Sequence, residues 1–527
     1  MYRLITTSVA IGLMVGCGGG GGGSNPPPAG TTPPPAVPQA VSTTGIITGF
    51  GSVFVDGTRY EVASDTVVSI EGRDDVMGDD SDLRVGMKVD VQSTDDDGER
   101  TADSITYDDD LKGPVRDVMQ NADNPAIGTF TVLGQLVQVD DNTVFDDDVG
   151  DTNNDGDIDL RDLELPNGQM VVEVSGHTLE GGILATRIDR VNDAAGVPGT
   201  PDDEFEIKGY VDAVADDGSS ISINGADIAV DAGTVLDEGL VVDQSLVGRF
   251  VEVDLDQDAN GDLFAVEIEF EDDDDRNDDD RVEIKGVLTA VDLGADPDEI
   301  TIAGRTLQVN DASSLEDRVG QLVEIKGDFN TDGVLVIDEV EVEQAESVRT
   351  EDLVAAVDVA GGSFTTRLGL EISPTGASRL ENDDEDGDHL TVDQFLQRLD
   401  IGDYVEARGR PEANDVVWSR IEAEADDDLE CELRGPVSDI TGTASDFSFS
   451  ILGIAIDVSG VQDDEFETDS QTGRDAFFAA LTDGVVVKVE SDDAGLGCES
   501  GQLTAEKAEF ELEDGLVGTG DDSSDDD

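Results

Sequence analysis

Ser52 to Val62 reads SVFVDGTRYEV: apolar and polar residues alternate, an Asp-Gly pair interrupts them, and the alternation resumes. A period of two marks a strand with one buried face, and a two-residue Asp-Gly turn needs the positive φ that glycine supplies. The stretch therefore reads as a β-hairpin. The same plan returns as SISI-NG-ADIAV, Ser220 to Val230.

Outward from this hairpin the chain repeats itself. Turn glycines recur at Gly57, Gly134, Gly225, Gly304, Gly369 and Gly453. A second marker is a glycine leading into a buried strand, as in VGMKVDV, NGQMVVEV, VGRFVEV, VGQLVEI, IGDYVEA and DGVVVKV. These are Gly86, Gly168, Gly248, Gly320, Gly402 and Gly484, at successive spacings of 82, 80, 72, 82 and 82. A third marker is a pair of small or apolar residues three apart in the last strand: Ala102 with Ile105, Ala185 with Ile188, Ala265 with Ile268, Ile337 with Val340, Trp418 with Ile421, and Ala505 with Ala508. A slip of one residue would turn a strand's side chains to the other face, so a shared phase means a shared register.

The markers predict an all-β chain of six tandem small five-stranded barrel-like domains, each with a short helix or loop insertion before strand four. Five short strands bury most by closing into a small barrel, similar in outline to an OB-fold; an open meander or small sandwich is the alternative. Boundaries are expected at 45–112, 113–200, 204–270, 282–346, 351–425 and 430–516. An acidic linker, EDDDDRNDDDR, occupies 271–281, and an acidic tail 517–527. Runs of like charge stay extended and solvated, so both read as spacers.

GIITGFGSVFVDGTRYEV (45–62), LRVGMKVDV (83–91) and ADSITYDDDLKGPV (102–115) resemble the bacterial family called domain of unknown function 5666. The likeness includes Gly113-Pro114-Val115 entering the second unit and Arg434-Gly435-Pro436-Val437 entering the sixth. What the resemblance implies is the fold and its repetition; it brings no activity and no functional residue.

The chain begins MYRLITTSVAIGLMVGC, an apolar run behind Arg3 that is too short for a stable membrane span. Met14-Val15-Gly16-Cys17 resembles the lipobox of bacterial lipoproteins, in which the cysteine is lipidated; Met14 stands where leucine is more usual. Gly18 after the cysteine points by resemblance to an outer-membrane lipoprotein, periplasmic or surface-exposed. Residues 18–44, rich in glycine and then proline, read as a tether.

With 125 Asp+Glu against 30 Lys+Arg and a formal net charge of -95, the chain repels phosphate backbones, which argues against nucleic acid. The acidity reads either as solubility in salty water or as cation binding. An EF-hand type calcium loop needs oxygen ligands at positions 1, 3 and 5, glycine at 6 and a carboxylate at 12. DTNNDGDIDLRD, 151–162, fills every slot with Asp151, Asn153, Asp155, Gly156, Asp157, Ile158 and Asp162. It lies in an insertion free of strand pairing. NDDEDGDHLTVD, 382–393, offers Asn382, Asp384, Asp386 and Asp393, a weaker match ahead of TVDQFLQRL, which has helical spacing. DQDANGDLFAVE (256–267) and DFNTDGVLVIDE (328–339) also fit, but Glu267 and Glu339 fall inside a predicted strand and cannot both pair and curl onto an ion. Weak Ca2+ binding at the inserted loops is the expectation.

Only His177 and His389 occur, and both read as surface residues. No nucleophile motif, zinc spacing or phosphate-binding loop accompanies them, so an enzyme is not expected. Cys431 and Cys498 pair as a disulfide if the compartment is oxidising; two free buried cysteines are the alternative. Together these readings describe a membrane-anchored, cell-envelope binding or structural lipoprotein with an unidentified protein or polymer partner, cationic by preference. A periplasmic ligand-binding receptor and a carboxylate-dependent hydrolase are the alternatives.

Overall fold

The structure is a computed structural model. It describes residues 39–510 except 71–75, 97, 122–123, 155–157, 166–169, 180, 192–204, 224, 238, 258–262, 271–280, 331–332, 343–346, 383–389, 413–414, 425–430, 443–446, 469–470, 492–497 and 500. Cys17, most of the tether, the acidic linker except Arg281, and the acidic tail lie outside the described residues.

The first segment shows the plan. Its strands are Gln39–Gly49, Val53–Val55, Thr58–Ile70, Lys88–Asp96 and Glu99–Tyr107. First pairs with second and second with third, both antiparallel. Third pairs parallel with fifth, fifth antiparallel with fourth, and fourth antiparallel with first. The ring closes, leaving no free edge, which is the barrel-like, OB-like arrangement read from the sequence. The same closed order runs through the segments beginning at Leu111, Phe205 and Arg281. The segments beginning at Val348 and Cys431 follow the same strand order with one strand in two pieces: the third in the fifth segment (Glu371–Ile372 and Arg379–Asn382) and the last in the sixth (Gln502–Thr504 and Lys507–Phe510). The fold is all-β. Its only α-helices among the described residues, Val392–Arg398 and Arg474–Ala480, both stand before a fourth strand.

Backbone geometry explains each marker. Gly57, Gly134, Gly225, Gly304, Gly369 and Gly453 all have positive φ, between 74° and 90°. Gly86, at φ 88°, donates its N–H to Ile47 O (2.8 Å), while Ile47 N donates to Met87 O (2.9 Å). Gly248, Gly320, Gly402 and Gly484 repeat that bond to Val211, Leu288, Val354 and Val437 at 2.8–2.9 Å, pinning strand four to strand one. Gly168 lies outside the described residues. The third marker has a different cause. In a flat strand, residues three apart face opposite ways. The last strand instead carries a β-bulge between the two, at Asp103, Thr186, Val266, Asp338 and Ser419 in the first five segments. The extra residue brings both members of each pair inward. Ala185 and Ile188 are accordingly buried, as are Trp418 and Ile421.

The rings share sheets two by two. Val41–Thr44 pairs parallel with Arg281–Ile284, joining the first and fourth segments. Lys112 and Leu111 pair with Glu206 and Ile207, joining the second and third. Arg349–Glu351 pairs with Glu432–Arg434, joining the fifth and sixth. The described residues accordingly belong to one compact unit.

The first strand begins at Gln39, not at the expected tether boundary of 44, because residues 41–44 pair on both sides at once, with Ser93–Asp90 and with Arg281–Ile284. Ser42, Thr43 and Thr44 are buried there, so their polarity gave no sign of a core strand.

Candidate functional site

In the inserted loop 151–162, Asp155, Gly156 and Asp157 lie outside the described residues. The flanking residues are ordered around Asp162, whose side chain is fully buried. Its Oδ1 accepts from Thr152 N (2.6 Å), Asn153 N (3.1 Å) and Thr152 Oγ1 (3.1 Å). Its Oδ2 accepts from Asp159 N (3.1 Å), completing a capping box on the one-turn helix Leu160–Leu163. Asp151 Oδ1 accepts from Asn154 N (2.5 Å). Asp162 thus folds the loop rather than standing open to an ion.

Asn382 ends the strand Arg379–Asn382, and Asp393 sits exposed in the first turn of helix Val392–Arg398. The two bracket residues 383–389, which include Asp384 and Asp386 and lie outside the described residues. The helix is capped by Thr391, whose hydroxyl accepts from Gln394 N (3.3 Å) while Gln394 returns the bond. Of the two hairpin templates, Glu267 pairs opposite Asp254 and Glu339 opposite Lys326, both inside strands.

A carboxylate cluster that the sequence reading did not single out lies where the second and third segments join. Asp108, Glu206 and Glu252 each bring an oxygen within 4.8 Å of the others. The Lys208 ammonium, 4% exposed, lies among them, with Glu206 and Glu252 each at 3.4 Å and an ion pair to Asp108. A built-in cation thus already fills this place. Nearby, Lys88 pairs with Asp110 and Arg305 with Asp90, around a cleft of about 80 Å3. The cleft is too small and too fully paired to hold a sizeable ligand.

Other cations are spent the same way, on seams. Arg100 bridges the first segment to Glu283 in the fourth (2.6 Å), and Lys285 returns to Asp56 (3.2 Å). Arg420 Nη1 and Arg379 Nη1 donate to the carbonyls of Asp141 (2.9 Å) and Asn142 (3.2 Å), seating a turn of the second segment on the fifth. Arg349 reaches Glu406 (3.1 Å) and Glu432 (3.6 Å). Burial opposes ionisation of Glu406, yet Arg408 and Arg349 hold its carboxyl down to about 2.

His177 corrects the surface reading: it is buried, and burial, helped by Lys285 and Lys88, lowers its pKa to about 3. Cys431 and Cys498 form a disulfide with Cα atoms 6.1 Å apart, beside the fully buried Asp352 carboxylate, which accepts from Leu353 N and Leu368 N (2.7 Å each). The sequence reading also passed over a recurring hydroxyl. Thr66, Thr143, Thr234 and Ser378 donate to Ala102 O, Ala185 O, Ala265 O and Trp418 O (2.6–2.9 Å), the carbonyl just before each last-strand bulge. The Thr-Val dipeptides at 66, 143 and 234 were its signal.

The model of the family described as domain of unknown function (DUF5666) matches residues 112–189, 208–269 and 285–341. These segments are tandem DUF5666 repeats. Each match starts inside a first strand and ends inside a last strand, so one DUF5666 unit corresponds to one closed ring. No match was found among the curated proteins.

Proposed function

We propose that the chain is a membrane-anchored lipoprotein of the cell envelope, held in the outer membrane through Cys17, that works as a non-catalytic binding or structural module and takes up calcium weakly at its inserted acidic loops. The observation that carries this reading is the division of charge. The lysines and arginines described above are drawn into seams between the rings, as with Arg100 and Glu283 or Lys208 and Asp108. An acidic chain whose cations are tied up this way turns carboxylates outward, a surface suited to metal ions or a cationic protein or polymer.

Calorimetry of the purified chain with calcium tests it. Heat of binding is expected, at the weak end found in extracellular modules, and Asp151→Ala should diminish it. Asp162→Ala is a poorer probe because it unfastens the loop itself. Absence of heat, or an identical titration in Asp151→Ala, removes the calcium part. Labelled lipid that attaches equally to the chain and to Cys17→Ala removes the anchor.

A further inference from the structure

The tripeptide Arg-Val-Gly occurs at 84–86 and again at 318–320, each time just before strand four. The two glycines share one backbone conformation, with φ 88° at Gly86 and 87° at Gly320. Their surroundings differ completely. Val85 is 8% exposed and Val319 is 48% exposed.

Val85–Gly86 is covered because it docks on the second repeat. Arg187 Nη1 donates to Val85 O (3.1 Å) and Thr186 Oγ1 to Gly86 O (2.6 Å). Lys88 N donates to Ser175 Oγ (2.7 Å), and Val144 joins the hydrophobic core of the first repeat. A Cβ on Gly86 would lie 2.6 Å from Thr186 O, so the contact needs glycine. Gly320 has nothing within 4 Å of that position.

The matching seat on the third repeat is also bare. Val144 pairs with Arg187, and in the same register Val235 pairs with Glu267. Val235 and Leu236 are 52% and 39% exposed where Val144 is 4%. The charge on the seat is reversed as well. Where the second repeat presents Arg187 and Ser175, the third presents Glu267 and Asp254. Arg84 donates to Ser81 O and Leu83 O within its own ring. Arg318 is exposed, and its Nη1 donates to Gln321 Oε1 (3.4 Å) within its own turn.

We infer that the Arg318–Val319–Gly320 turn of one molecule docks on the Val235–Leu236 seat of a second copy, with Arg318 meeting Glu267, so that the chain self-associates through unlike surfaces. The inference stands independently of the calcium reading. A contact between unlike surfaces closes into a small ring or continues as a filament. One turn on a strand tip is small beside the roughly 1,200–2,000 Å2 of a stable interface, so the association is weak. Its salt dependence follows from magnitudes. One exposed Arg–Glu pair contributes at most about 1 kcal/mol and weakens with salt. Two chains of net charge -95 repel over the whole surface, and the screening length falls from about 10 Å at 0.1 M to about 3 Å at 1 M salt. Repulsion is the larger effect, so association strengthens as salt rises.

Sedimentation of the full chain carrying Cys17→Ser, which keeps lipid out of the measurement, tests this in 1 M NaCl without calcium. Mass is expected to grow with concentration beyond one chain. Val319→Asp and Val235→Asp should each weaken association by roughly tenfold to a hundredfold, the range set by burying one valine. Ile401→Asp, the same change beside another open glycine, should leave it alone; Ile401 is 74% exposed. Arg318→Glu and Glu267→Arg should each weaken it and together restore it. All of these except Glu267 are exposed, and circular dichroism of each variant checks the fold. A single chain at every concentration and salt overturns the inference. So does association that ignores either valine substitution, or that Ile401→Asp harms as much as Val319→Asp.

Discussion

The last strands of the second and fourth segments share a backbone and differ in fate. After the bulge at Thr186 the second carries Arg187, fully buried, bonded to Asp189 (2.7 Å), to Asp146, and to Val85 O of a neighbouring ring. After the bulge at Asp338 the fourth carries Glu339, exposed and covered by nothing described. The fifth segment sides with the second, since Arg420 after the bulge at Ser419 holds the Asp141 carbonyl. One position therefore separates faces that become seams from faces that stay wet. A guanidinium can be buried against carbonyls and carboxylates, whereas a second carboxylate there would have only like charges to meet.

The strongest way to break this comparison is to remove the cation. Arg187→Met leaves Asp189 and Asp146 facing a seam without their partner and is expected to destabilise the chain by about 3–5 kcal/mol. Glu339→Ala, at the matching position, should change stability by less than about 0.5 kcal/mol. Urea titration of both variants gives the answer. Equal effects would mean that the bulge cation has no part in holding the rings together.

A second contrast lies between the fifth and sixth segments. The sixth alone carries the Cys431–Cys498 bond, which closes a loop of 67 residues. Breaking it with Cys498→Ser should lower stability by about 2–4 kcal/mol. The loss should appear first in amide exchange of the sixth segment and leave the fifth protected. A loss spread evenly over both would show that their shared sheet unfolds as one unit.

How much of this was legible in the sequence depends on which force set each feature. The hairpin glycines, the glycines before strand four and the paired positions of the last strand were readable because positive φ and side-chain direction are local. The ring followed from them. The seams were not readable. Ser42, Thr43 and Thr44 look like tether until a second ring pairs with them, and Arg187 looks like a surface charge until Val85 O arrives. His177 was misread for the same reason, since the fourth-strand residue between Lys88 and Lys285 is covered only in the assembled unit. The candidate calcium loop was legible as a ligand pattern. That Asp162 would spend its oxygens on four donors was not, because capping depends on the turn the backbone takes.

His177 offers a milder test of the seam. Its folded pKa is lowered to about 3, burial being the main cause, against an ordinary value of 6.5. As pH falls through 6.5 the unfolded chain takes up a proton that the folded chain refuses, so stability drops across the window from 6.5 to 3. Between pH 7 and pH 5 the loss from this residue is about 2 kcal/mol. Denaturant midpoints at the two pH values should differ less in His177→Gln than in the parent chain. The same pH dependence in both would place the histidine outside the buried seam.

The finest comparison uses the two Arg-Val-Gly turns. An alanine at either glycine must adopt positive φ, a strain of roughly 1 kcal/mol that is common to both. At Gly320 nothing lies in the way of the new methyl, so that strain is the whole effect. At Gly86 the methyl meets Thr186 O at 2.6 Å and Arg187 Cβ at 2.9 Å, and overpacking adds about 1–3 kcal/mol. The difference between Gly86→Ala and Gly320→Ala therefore measures the seam between the first and second rings with the backbone contribution cancelled. If the two variants melt together in the isolated chain, the rings do not press on one another at this point. If Gly320→Ala costs only that backbone strain in stability yet weakens association in 1 M NaCl, the bare turn is used the way its covered twin is.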